Sequence, residues 1–241
     1  MRLTLTINTI NSNMNNKKNI LISNSGNKIS KKLENCLSSH NIKFIDKKEL
    51  DYKDPSDLDK LFVNTDIYIH IAYQGITLSN DNEMIDYHTR KTYDLLFAAG
   101  KQNISRVFCI STLKLFSEIE SNLTVTENWE IKFAVDNIEL LCSNLSEKVC
   151  KEFARDGVFE VINLRLGEIN EDNDIRLSEK KLYNCLNKFI EIDFTDEEIK
   201  LSKNPFNSAR KKGPNWINFH LQDTFDGQRY LTDKIDKFIG E

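Results

Sequence analysis

The residues best placed to do chemistry lie at one turn near the N-terminus. Residues 19–33 read NILISNSGNKISKKL, a short apolar strand, a turn of small residues, and the start of a helix. A turn of this shape can cradle a phosphate, because free N–H groups and the helix dipole face an anion. The turn is Ser23, Asn24, Ser25, Gly26, Asn27 and Lys28, and Lys28 adds a positive charge. A pyrophosphate cradle uses glycine for the bend, for close backbone approach and for helix packing. In the simplest register those three positions fall on Asn24, Asn27 and Ser30, with Gly26 the one glycine in the turn. Asparagine tolerates positive φ, so the bend is expected to survive. Side chains there are expected to crowd a pyrophosphate. Asp46 ends the next strand at the distance of a ribose-binding acid, while Lys47 and Lys48 beside it suit a 2′-phosphate.

Other chemistries find less support. The four histidines, His40, His70, His88 and His220, show no HxH or HExxH spacing, so no metal site is expected. Cys36, Cys109, Cys142, Cys150 and Cys185 are widely spaced without a CxxC pair, which reads as buried free thiols in a reducing compartment. A net charge of −4 disfavours nucleic acid. No segment approaches the roughly 20 apolar residues that span a bilayer, and the polar first 18 residues lack a signal-peptide core. The expectation is a cytoplasmic protein with no membrane or nucleic-acid partner.

The elements that must position the turn follow from pattern. Short β-branched runs at 19–23, 42–45, 67–72, 107–111 and 160–165 predict strands buried on both faces. Helical patterns fall between them at 29–40, 55–62, 83–102 and 137–156. The alternation predicts an α/β fold, a doubly wound parallel sheet with helices on both faces. The expected organisation is an extension at 1–18, a dinucleotide-binding-like domain at 19–168 and a small C-terminal cap at 169–241. Within the last region, 203–215 reads as a loop carrying the basic run Arg210, Lys211 and Lys212, and the tail as a strand, a turn and a closing helix.

Several segments together resemble the extended short-chain dehydrogenase/reductases, the nucleotide-sugar epimerases and dehydratases. In order they are NILISNSGNKI, ELDYKDPSDLDKLF, TDIYIHIAYQ, HTRKTYDLLFAAGKQNISRVFCIST, VTENW, SEKVCKEFARDGVFEVINLRLGEI and FHLQDTFDGQRYLTDKIDKFIG. The resemblance implies a Rossmann-type domain, NAD or NADP as cofactor, and a nucleotide-sugar ligand. It places Asp51 and Tyr52 at the adenine and Ala72 in the turn beside the cofactor. It matches Thr112 to the Ser/Thr that binds a substrate hydroxyl, and gives Glu127 a role in orienting a sugar. It also implies a homodimer through helices 83–102 and 137–156. The family's acid/base is a tyrosine with a lysine four residues on, a spacing that shares one helix face. Counting back from LRLG puts these at Glu139 and Ser143; a shift of five puts them at Asn144 and Lys148. No tyrosine occurs between Tyr93 and Tyr183, so the Tyr–Lys route is absent in either register.

Three functional readings follow. The first is a diverged homologue, a pseudoenzyme that binds a nucleotide ligand or supports a partner in carbohydrate or polysaccharide metabolism. The second is an active atypical epimerase or reductase using Thr112 with a substitute acid/base among Glu127, Glu139 and Lys148. The third is a purely structural interaction subunit.

Overall fold

The computed structural model describes residues 17–74, 78, 80–192 and 215–240. Six parallel strands form the main sheet: β1 (Asn19–Ser23), β2 (Asn41–Ile45), β3 (Ile67–Ile71), β4 (Arg106–Thr112), β5 (Glu160–Leu166) and β8 (Trp216–Leu221), in the order β2-β1-β3-β4-β5-β8. Two short strands, β6 (Glu168–Ile169) and β7 (Arg176–Leu177), pair separately. Every residue of β3 is buried, as a central strand covered on both faces requires. This is the expected doubly wound α/β architecture.

Alternate residues of the strands feed two cores. On one face Ile22, Ile69, Ile110 and Leu164 meet Leu33 of α1 (Lys28–Cys36), Leu186 and Phe189 of α5 (Glu179–Glu191) and Ile235 of α6 (Asp233–Ile239). On the other, Leu21, Tyr68 and Val107 meet Leu95 and Ala99 of α3 (Thr92–Lys101) and Cys150 and Phe153 of α4 (Ile138–Arg155). All five cysteines are buried and free.

The helix expected at 83–102 is α2 (Asp81–Asp86), one π turn (Tyr87–Lys91) and α3 in continuous succession. Thr92 Oγ1 donates to the Tyr87 carbonyl at 2.8 Å across that turn. The extra residue in the π turn brings Tyr87 and His88 into the interior together. Residues 55–62 form 3-10 turns, with Pro55 at the start and Asp54 accepting from Ser56 N at 2.9 Å. Asn137 caps α4, its side chain accepting from Leu140 N at 3.2 Å.

The C-terminal region builds the sheet as well as covering it. β8 lies parallel to β5 over six register pairs, so a boundary at 168 does not separate two bodies in space. Residues 1–16 of the extension expected at 1–18, and the basic run Arg210–Lys212, lie outside the described residues. Among the described residues, no helix is long and apolar enough to cross a membrane.

Candidate functional site

The chain leaves β1 for β2 on one side and meets β3 on the other, and a crevice opens beyond the strand ends at that point. It is a cavity of about 240 Å3 whose lining includes Lys28, Tyr73, Ser111, Thr112, Glu168 and Glu171.

The β1–α1 turn keeps its bend without the glycines. Asn24 supplies the left-handed residue at φ 69°, and Gly26 adds a second at φ 82°. Asn27 stays extended at φ −87° and caps α1, accepting from Ser30 N at 2.6 Å. Ser30 is buried and donates its hydroxyl to the Asn27 carbonyl at 3.0 Å. Ser23 ties the turn to the sheet, accepting from Ile71 N at 2.8 Å. The Asn24 amide nitrogen is buried without a hydrogen-bond partner.

The positions expected to hold an adenosine are engaged with the protein itself. Ser25 Oγ donates to Asp46 Oδ1 at 2.7 Å, at the acid expected for a ribose. Asp46 N also donates to Glu49 at 2.7 Å in a capping box. Tyr52 donates its hydroxyl to Asp94 and accepts from Arg90 at 3.3 Å, so its ring is anchored to the helix α2–α3. Asp51 is exposed. Ala72 is buried, its N–H donated to the Ile110 carbonyl at 2.8 Å.

The crevice is rich in ion pairs. Lys28 Nζ lies 2.6 Å from Glu171 Oε1. Lys32 pairs with Glu179, and Lys114 with Glu168. The Lys114 ammonium beside Glu168 holds that carboxyl below its ordinary range. Tyr73 is nearly buried and accepts from Gln74 Nε2 at 3.3 Å. Burial pushes its phenol up, and Lys114 pulls it back.

Thr112 is buried at the end of β4, where its Oγ1 accepts from Lys114 N at 3.2 Å. Beside it Ser111 Oγ lies 3.1 Å from Ser143 Oγ, at the α4 position where strand counting expects the family's lysine. Glu139, where it expects the tyrosine, is exposed on the first turn of α4, and Lys148 is exposed further along. Glu127 turns its carboxylate inward: Oε1 is buried without a hydrogen-bond partner. Burial pushes the Glu127 carboxyl up, with Lys234 and Arg165 acting against the rise. The structure therefore gathers Lys28 and Thr112 at one crevice, while Glu127 sits toward β5 and β8.

Tyr73, Ser111, Glu168 and Glu171 were not singled out from the sequence. Tyr73 and Gln74 follow the buried Ala72 directly, and Gln74 takes φ 50°, a backbone feature with no composition signal. The glutamates belong to an acidic stretch whose partners are remote in sequence.

Behind the crevice a polar cluster is sealed in the core. Ser146 Oγ lies 2.8 Å from His88 Nδ1 and 3.3 Å from His70 Nε2, and Thr92 Oγ1 is 3.3 Å from His70. Burial lowers His70 to about 3 and His88 to about 4. These histidines are hydrogen-bonded core residues that do not line the crevice. Among the described residues no group of three potential ligands could hold a metal ion.

Glu168 and Glu171 face this crevice with their carboxylates paired to Lys114 and Lys28. The cavity, about 240 Å3, is smaller than the roughly 300–1,000 Å3 typical of enclosed ligand sites.

No family model matches the sequence, and no curated protein matches it significantly. Solved structures do match the fold. Uronate dehydrogenase from Agrobacterium tumefaciens is 11% identical with a TM-score of 0.70, covering 93% of this chain and 83% of that one. UDP-N-acetylglucosamine 4-epimerase from Bacillus cereus is 16% identical with a TM-score of 0.63, covering 93% and 92%. MoeE5, solved in complex with UDP-glucuronic acid and NAD, is 11% identical with a TM-score of 0.63, covering 92% of each chain. This chain has the Rossmann-type fold of the extended short-chain dehydrogenase/reductases and the epimerase/dehydratase-like enzymes.

Proposed function

We propose that this chain is a diverged homologue of the nucleotide-sugar epimerases and dehydratases that does not transfer hydride by the Tyr–Lys route. It acts as a binding protein in carbohydrate metabolism. The observation that carries this reading is the Ser111–Ser143 contact at 3.1 Å. In the register that gives Ser143 the place of the lysine, a small hydroxyl meets Ser111 where the mechanism needs an ammonium, and α4 bears no tyrosine. Glu139 and Lys148 do not restore it, because both are exposed and a substitute acid needs burial to approach neutrality, and Glu127, its Oε1 buried, lies toward β5 and β8, outside the crevice lining.

The hydroxyls of Tyr73, Ser111 and Thr112 suit the sugar portion of a nucleotide sugar, or a free sugar acid, better than its diphosphate. A thermal-shift panel of NAD, NADP, UDP-glucuronic acid and glucuronate tests the binding. We expect a shift with the sugar-bearing ligands and none with NAD or NADP alone. Formation of NADH or NADPH from any of these sugars would overturn the reading.

The interaction-subunit reading has one observation of its own. Tyr93 and Phe97 on α3 are 50% and 46% exposed, with rings stacked 6.0 Å apart, and Tyr93 reaches Phe153 of α4 at 5.3 Å. This apolar patch spans the two helices expected to pair, and a two-fold axis through it would set like against like. Light scattering at micromolar concentration should give a dimer, and Phe97→Glu a monomer. A monomeric parent protein sinks this version.

A further inference from the structure

Two lysines of α1, Lys28 and Lys32, line the crevice, and a third, Lys114 in the turn after β4, reaches its Glu168. Each is paired with a glutamate from the single stretch 168–179. The pairs are Lys28–Glu171 at 2.6 Å, Lys32–Glu179 and Lys114–Glu168. Two asparagines of the same stretch brace the carboxylates. Asn170 Nδ2 donates to Glu179 Oε1 at 2.7 Å, and Asn173 Nδ2 donates to Glu168. The backbone holds the stretch in place: Glu168 N donates to the Ile175 carbonyl at 2.7 Å and Asn170 N to the Leu177 carbonyl at 2.9 Å.

We propose that residues 168–179 are a built-in occupant of an anion site, their glutamates taking the lysines that a phosphate or diphosphate would otherwise take. Carboxylate and phosphate oxygens compete for the same donors, since both are accepted by ammonium groups through charge-assisted hydrogen bonds. With these three lysines matched, they leave no surplus positive charge to offset the desolvation of a dianion. The Lys28–Glu171 pair is the weak point. Its side chains are 65% and 49% exposed, so solvent screens it and it opens readily. The other two pairs are more enclosed, with lysine side chains 25% and 35% exposed. The exclusion of a dinucleotide is thus an active property of the 168–179 stretch, added to the loss of glycine in the β1–α1 turn.

The consequence is a gain of binding on neutralising the stretch. Inorganic pyrophosphate and NAD are titrated by calorimetry into the parent protein, the single variant Glu171→Gln and the triple variant E168Q/E171Q/E179Q. The parent is expected to bind neither below millimolar concentration. The triple variant is expected to bind pyrophosphate at least about tenfold more tightly, and Lys28→Ala in that background should reverse the gain. Glu171→Gln alone should give part of it. Its exposed pair leaves the fold intact, so it decides the matter if the triple variant melts. Equal pyrophosphate binding by parent and Glu171→Gln, including none by either, overturns the proposal. Pyrophosphate binding bears on the glutamates and NADH formation on the missing tyrosine, so the two readings fail separately.

Discussion

Arg165 grips Glu147 through two hydrogen bonds, Nε to Oε1 at 3.0 Å and Nη2 to Oε2 at 2.8 Å, with both side chains at most 5% exposed. The pair locks β5 to α4 behind Ser111. Burial opposes the charge on Glu147, but Arg165 outweighs it and holds the carboxyl below its ordinary range. Removing one partner strands a buried charge. Glu147→Gln is expected to cost about 3–5 kcal/mol in urea unfolding. A loss under about 1 kcal/mol, the range of surface pairs, would refute this account of the pair.

Acid should destabilise the fold well before the carboxylates titrate. His70 and His88 are pushed down to about 3 and about 4 by burial, and burial also lowers His220. Each is neutral in the folded protein near pH 6, whereas an unfolded histidine takes its proton near pH 6.5. The unfolded chain then binds more protons, so this contribution is full above pH 6.5 and is lost as pH falls toward the folded values. The expected slope below pH 6 is about 1.4 kcal/mol per pH unit for each histidine. Urea midpoints at pH 7 and pH 5 measure it, and His88→Gln should flatten the dependence. A pH-independent midpoint over that window contradicts the burial of these rings.

Asn24 holds a left-handed conformation at φ 69° where the family pattern has glycine. Alanine lacks asparagine's tolerance for that region, so Asn24→Ala is expected to lose about 1 kcal/mol relative to Asn24→Gly. Thermal melts of the two variants compare them directly. Equal stability would show that the turn had relaxed to another conformation.

Gly167 joins β5 to the acidic stretch. A Cβ there would overlap the Ile175 carbonyl and lie 3.3 Å from Gln222 Cβ. Gly167→Ala must displace the β6–β7 pair, and a loss of about 1–3 kcal/mol is expected, the usual range for overpacking. Faster hydrogen exchange across 168–177 is the specific signature. An unchanged exchange pattern would mean that the backbone absorbs the methyl group elsewhere.

The legibility of this fold varied with how local its causes are. Ile67–Ile71 is a continuous apolar run, and it forms the fully buried centre of the sheet. Asn137 and Ser178 announce helices by capping them, a signal confined to a few residues. The π turn at Tyr87–Lys91 has no comparable mark, because it answers the need to bury two successive aromatic rings. The place of Trp216–Leu221 is no more local: whether it joins the main sheet depends on a free edge at β5, which its own residues do not encode.

The sequence by itself determined the alternation of strands and helices, the doubly wound sheet, and the absence of a tyrosine from α4. These follow from side-chain periodicity and residue type, which neighbours in the chain express without help. Only the tertiary structure decided what faces the crevice. Lys28 meets Glu171 and Lys32 meets Glu179 across separations of 143 and 147 residues. Ser111 meets Ser143 because β4 and α4 are stacked together. Charge pairing acts through space over a few ångströms, so its partners are set by topology and not by order in the chain.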